Sequence, residues 1–235
     1  MTPQERMTAF AQSVYLTKNN RYYDDITEED GQTYIAQTVD WLTLLLDELE
    51  READWNCVRN WDAEIGVITV PGQQTFDLPA DARKLVVDEE RPLVIMHDNT
   101  VVASFEVVDP NQITKRTTST KDRVTVVRKK IIFSRPLKDT EVGGTIVADT
   151  VSPLPRPVIT GPSPQVDIFD IFEPMQLLVL GVAKNATLPD IVQGPLSPSY
   201  VQKYGDLLEK TVMENNASST SDEVVRDDYS YIGGI

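Results

Sequence analysis

A chain of 235 residues, 40% hydrophobic and 25% charged, can bury a sizeable core, and none of its apolar runs is long enough for a membrane-spanning helix. Its formal charge of −15 argues against a general nucleic-acid binder, because phosphate contacts need clustered Lys and Arg. A single cysteine, Cys57, excludes an internal disulfide and fits a reducing compartment; with a single histidine, His97, it excludes the usual structural zinc sites. The opening MTPQERMTAF has no basic start and no apolar stretch, so no secretory signal is expected there.

Thr2-Pro3-Gln4-Glu5 is a helix start: Thr2 can cap, Pro3 suits the first turn and Glu5 completes a capping box. The helix is expected to end at Asn19-Asn20. Thr27, followed by Glu28, Glu29 and Asp30, marks a second start, with the acids where the helix dipole favours them. From there Ile35, Val39, Leu42, Leu46, Leu49 and Ala53 alternate by four and three, which predicts one apolar stripe to about Asp54. Asp40, Asp47, Glu48, Glu50, Arg51 and Glu52 fall on the outer face. We take Ile35, Val39, Leu42, Leu46, Leu49, Trp55 and Trp61 as the core of a helical bundle, with Trp55 and Trp61 buried where helix gives way to strand. Cys57, set among Trp55, Val58 and Trp61, reads as a buried thiol.

After Trp61 the period changes to two. Strands are predicted at 63–70, 75–79, 83–89, 93–96 and 101–108, with Pro71-Gly72 and Asp98-Asn99 as turns. Residues 111–122 read as a long polar loop, and 124–133 and 145–151 as the last paired strands. Five prolines within 151–164 predict an extended linker. Helical pattern resumes near Glu173, stops at Pro189, and returns after Ser197-Pro198. The closing ASSTSDEVVRDDYSYIGGI has the composition of a disordered or partner-ordered segment. The expected fold class is therefore α+β: a helical bundle (1–62 and 173–216), an inserted antiparallel β-rich domain (63–152), a proline-rich linker (153–172) and a flexible acidic tail (217–235).

Charge is unevenly spread. Residues 111–138 hold nine cations, among them Lys115, Arg116, Arg128, Lys129 and Lys130, against Asp122 alone; this window is +8, which leaves −23 elsewhere. Such asymmetry suits contacts between copies, a local contact with phosphate, or simply a solvated hairpin. The cations Lys115, Arg116, Arg128, Lys129 and Lys130 and the tail acids Asp222, Glu223, Asp227 and Asp228 are the candidate contact residues.

Catalytic signatures are missing. His97 lies beside a turn and no G-x-S-x-G occurs. Glu28-Glu29-Asp30-Gly31 fails the calcium-loop register, because Ile26 and Gln37 would occupy ligand positions. No phosphate-cradling glycine motif is present, and no cofactor or metal is expected.

Three motifs carry a family resemblance: LDELEREADWNCVRNW at a helix end, VPGQQTFDLPADARKLVVDE after a strand, and VVRKKIIFSRPL ahead of a strand ending DTVSPLP. Together with a two-helix closure, they resemble the head-to-tail adaptor proteins of tailed bacteriophages, the connector family of the tail tubular protein A type. The resemblance implies a non-enzymatic virion protein at the head–tail interface, present in the host cytoplasm during assembly. It implies a homo-oligomeric ring of about twelve copies below a portal, contacts with the portal and a tail or nozzle protein, and DNA passing through the lumen without sequence-specific binding. An acidic lumen would let DNA slide, and the tail could order on a portal groove. The alternative is a β-sandwich module with helical flanks that binds a protein or carbohydrate; Phe76, Phe105 and Phe133, all at expected core positions, offer it few exposed aromatics.

Overall fold

The computed structural model describes residues 2–19, 28–86, 91–113, 122–157, 167–172, 175–186 and 195–230, excepting the side chains of 28–29 and 218–230. The chain divides into two compact units, Met1–Cys57 with Leu154–Ile235, and Val58–Pro153.

The first unit holds α1 (Pro3–Asn19), α2 (Glu28–Glu52), α3 (Ile168–Ile171), α4 (Gln176–Asn185) and α5 (Pro198–Ser230). The α1 start is a reciprocal capping box: Glu5 N–H donates to Thr2 Oγ1 at 3.2 Å and Thr2 N–H to Glu5 Oε2 at 2.7 Å. Met7, Phe10, Ala11 and Val14 of α1, Leu42, Leu45, Leu46 and Leu49 of α2, and Leu177, Leu178, Leu180 and Val182 of α4 are buried. Each large apolar side chain buried this way contributes about 1.5–3 kcal/mol. The buried face of α2 is turned from the expected one. Tyr34, Thr38, Trp41 and Leu45 are buried alongside Leu42, Leu46 and Leu49, while Ile35 and Val39 are only half-buried. One residue along a helix is about 100° around it, and the two aromatic rings bring more apolar area to the core than Ile35 and Val39 do. Tyr34 packs edge-on to Tyr15 and Trp41, with centroids 5.4 and 5.7 Å away. Gly181 lets α4 come close to its neighbours: a Cβ there would lie 2.7 Å from both Leu45 methyls and 2.9 Å from the Tyr204 ring.

Within the stretch expected to be a proline-rich linker, the described residues 154 and 167–172 make contacts in this unit. Leu154 is 1% exposed and its N–H donates to Glu50 at 2.8 Å. Asp167 caps α3 by accepting from Phe169 N–H, Phe169 stacks against Phe10, and Phe172 meets Trp55 edge-on, each ring pair 5.1 Å apart. Proline composition describes the backbone but says nothing of what the intervening Leu, Arg and Phe side chains reach.

The second unit holds β1 (Arg59–Val67), β2 (Thr75–Asp77), β3 (Lys84–Val86), β4 (Leu93–His97), β5 (Thr100–Val107), β6 (Asp122–Val127), β7 (Lys130–Phe133) and β8 (Thr145–Val151). They form one sheet, ordered β1-β8-β4-β5-β6-β7-β2, with β3 also paired to β8. Gly72 takes φ 81° in the Pro71-Gly72 turn, as such a turn requires. Ile68, Phe76, Leu93, Ile95, Phe105, Val124, Ile131, Phe133 and Ile146 form a contiguous apolar cluster, with Phe105 and Phe133 rings 4.7 Å apart.

The expected fold class is corrected on these grounds. The chain is mixed α/β, its sheet curls into a half-barrel, and strands rather than a helical bundle dominate the core. The sheet is mixed because β5 and β6 run parallel; residues 108–121 between them are long enough for the crossover that parallel pairing needs. The stretch 124–133, read as one strand, is a hairpin, and β8 pairs with β1, β3 and β4 instead of with it. The tail, expected to be disordered or ordered by a partner, continues α5 as far as Ser230.

Candidate interaction surfaces

Two hairpins of the sheet close with two-residue turns in which both residues are left-handed. Asp98 and Asn99 join β4 to β5 at φ 47° and 62°; Arg128 and Lys129 join β6 to β7 at φ 50° and 63°. This is the backbone of a primed turn, whose twist matches that of the strands. Asp and Asn tolerate it, but for Arg and Lys it costs about 1–2 kcal/mol per residue. The Lys129 carbonyl accepts Leu78 N–H at 2.8 Å. Lys130 reaches Asp77 at 2.9 Å, an exposed pair of little energetic weight. Arg128, Lys129 and Lys130 are all exposed. The structure thus gathers these three candidate cations at one tip, while Lys115 and Arg116 lie outside the described residues.

Arg135, from the same basic window, is committed internally. Its guanidinium pairs with Asp122 at 2.6 Å and with both Glu141 oxygens at 2.6 and 2.9 Å, and lies 5.1 Å from the Phe105 ring. Glu141 is 3% exposed and also accepts Lys138 N–H at 2.6 Å. Hydrogen bonding from Arg135, then from the Lys138 backbone, holds the Glu141 carboxyl below the usual carboxylate range despite burial; the Arg135 guanidinium is driven further toward its charged form chiefly by Glu141. This clamp closes the segment ahead of β8.

A second cluster went unread in the sequence. Trp61 stands on β1 in the sheet unit, not in the core of the helices, and is half-buried. Arg59 and Arg91 lie over its ring at 3.7 and 4.4 Å from the centroid. Both guanidiniums meet Asp149, at 2.7 and 3.5 Å, and Asp62 N–H donates to the same carboxylate at 2.8 Å. Asp149 and Arg59 side chains are only 3% and 9% exposed. The usable signal was the alternation Arg59, Trp61, Ala63, which already carries the strand period ahead of residue 63.

The acidic side of α2 is partly used within its own unit. Arg156 pairs with Asp47 at 2.7 Å and Glu50 at 3.1 Å, and Glu48 lies 4.0 Å from Lys184. Burial, then the charges of Glu48 and Glu52, push the Tyr204 phenol up to about 12. Leu42, Leu46, Leu49 and Trp55 are buried, and the Trp55 indole N–H donates to Leu49 O at 2.8 Å. Asn215 ties α5 to the residues after α2: its Nδ2 donates to Asp54 O at 3.0 Å, and its side-chain and backbone oxygens accept from Asn56 at 2.8 and 2.6 Å. Asp222, Glu223, Asp227 and Asp228 belong to α5, but their side chains lie outside the described ones. Cys57, expected to be buried, is exposed.

Among the described residues no cluster of His, Cys, Asp or Glu could hold a metal ion, and no helix is long and apolar enough to cross a membrane. His97 is half-exposed at the end of β4, 3.4 Å from Asp98. These arrangements are ion-pair clamps and an exposed cationic tip, suited to holding surfaces together. The chain matches no protein-family model, and no curated protein sequence shows significant similarity to it.

Proposed function

We propose that this chain is a structural virion protein: a head-to-tail adaptor whose copies form a ring between the portal and the tail of a bacteriophage, with DNA passing through the lumen. The observation that carries this reading is where the family-like motifs fall. In LDELEREADW, Leu49 and Trp55 are buried. In FDLPADA, Phe76, Leu78 and Ala82 join the sheet's apolar cluster. In KIIFSRPL, Ile131, Phe133 and Leu137 are buried and Arg135 is clamped to Glu141. The motifs that resemble those of the adaptors thus build framework, which suits a scaffold rather than a reaction centre. The charge of −15 supports the same reading, because an acidic wall repels the phosphate backbone and favours its passage. In this role the protein has no catalytic step; its partners are the portal, a tail or nozzle protein and further copies of itself, and its place is the head–tail interface of the virion.

The test is to purify the chain with its portal and image the mixture by negative stain. Added density under the portal with cyclic symmetry is the expected result. Portals that remain bare beside a saturating excess of the chain would rule the reading out.

A further inference from the structure

We infer that the Arg128–Lys129 tip of the sheet docks on an acidic surface of a second copy of this chain, an inference that rests on the ring reading above. The tip and the Asp98–Asn99 turn have the same left-handed backbone, φ 50° and 63° against 47° and 62°. Asp-Asn suits that backbone, whereas Arg-Lys strains it, and Asn-Gly would close the same hairpin without strain. Hairpin closure therefore gives no reason for two cations at these positions.

Their surroundings point outward. Arg59, Arg91, Arg135 and Arg156 each reach a carboxylate of the same chain. Arg128 and Lys129 are exposed and form no ion pair with any described residue. The tip is also held in place: Leu78 N–H donates to the Lys129 carbonyl at 2.8 Å, and Lys130 is paired to Asp77 on β2 at 2.9 Å. The backbone that carries the two cations is thereby held, while their exposed side chains keep the freedom to meet oxygen anions.

Charge and number select the partner. Among the described residues the tip offers two cations without an ion pair, about two phosphate contacts, against roughly 6–10 in a protein that grips duplex DNA. The chain's net charge of −15 further opposes a polyanion. A carboxylate-bearing protein face needs only two or three matched groups. The chain carries such carboxylates in excess, since residues outside 111–138 sum to −23. A basic tip on one copy meeting an acidic face on the next is a head-to-tail contact, the kind that closes into rings.

The experiment compares the full chain with the variant R128N/K129G, which keeps the turn, relieves its backbone and removes both charges. Sedimentation velocity is run over a protein concentration series at about 0.02 M and about 0.5 M salt, with a thermal melt of each protein. Wild type should associate at low salt and dissociate at high salt. The variant should melt at a higher temperature yet remain monomeric at both. Undiminished association of the variant, or a wild-type chain that stays monomeric throughout, overturns the docking. A duplex-DNA mobility shift given by wild type and lost in the variant overturns the choice of partner. Portal rings formed normally by the variant would also overturn the docking while leaving the adaptor reading intact. Tip-dependent association with portals left bare would keep the docking and remove the adaptor reading.

Discussion

Replacing Asp149 with Ala should destabilise the sheet unit by about 3–5 kcal/mol, the cost of removing one partner of a buried ion pair. The carboxylate is 3% exposed and neutralises Arg59, itself 9% exposed, at 2.7 Å, so solvent screens the pair little. The substitution leaves that guanidinium buried with no opposite charge among its described contacts. Asp62 N–H also loses its acceptor at 2.8 Å. Water can replace that acceptor because Asp62 is exposed, so this second loss adds about 1 kcal/mol or less. The Trp61 ring, 3.7 Å from Arg59, still attracts the cation and returns about 0.5–2 kcal/mol, which places the expected value toward the lower end of the range. The double variant R59M/D149L, which fills the same space with apolar groups, should recover most of the loss. Hydrogen-exchange mass spectrometry on β1 and β8 peptides across a urea series reads this unit separately from the helices. With a urea dependence of about 1–3 kcal/mol per molar, the midpoint should fall by roughly 1–3 M. A loss under about 1 kcal/mol for D149A, or a double variant no more stable than the single one, would refute the reasoning.

Three further outcomes follow from particular contacts. Glu141 has its carboxyl pKa depressed in the folded state, so its contribution is fully present above the unfolded value of about 4.5 and is lost as pH falls toward the folded value; acid titration of stability should show a drop below about pH 4.5 that E141Q flattens, at the cost of lower stability at pH 7. Thr125 is 2% exposed and its Oγ1 has no hydrogen-bond partner among the described residues, so T125V should leave stability unchanged or raise it by about 1 kcal/mol in urea unfolding, and a clear loss would reveal a partner for the hydroxyl. Gly181→Ala sets a helix-propensity gain of about 1 kcal/mol against overpacking of about 1–3 kcal/mol. Contacts at 2.7 Å to Leu45 and 2.9 Å to Tyr204 decide for overpacking, so the thermal midpoint of the helical unit should fall.

Local signals in the sequence were legible where one residue type fixes one backbone state. The Thr2–Glu5 box, the Pro71-Gly72 turn and the Asp98-Asn99 turn are of this kind, and the contacts or dihedral angles match. The Arg128–Lys129 turn was not legible, because neither residue prefers a left-handed backbone and the run around it looks like uninterrupted strand. The β5–β6 parallel pair is set by how a distant crossover closes, which no local pattern records. Periodicity placed α2 but mis-set its buried face, since it weighs Ile35 and Val39 like any other apolar residues and underrates Tyr34, Thr38 and Trp41. The basic window read as a single patch, yet Arg135 within it is an internal clamp, while the Arg128–Lys130 tip faces outward. The distinction depends on where Asp122 and Glu141 stand in space.

The outer strand of the sheet bears on how copies of this chain can meet. Among the described residues β1 pairs only with β8, so its far side offers main-chain groups to any strand that drifts past. Register breaks at Asn60/Ala63 and Glu64/Gly66, a left-handed Asp62 and the exposed Glu64 interrupt that offer twice within nine residues. A foreign strand could match only a few rungs before meeting a kink or a charge. Copies crowded at high local concentration are thereby steered away from open-ended sheet growth, and contacts that depend on particular side chains are left to set where assembly stops.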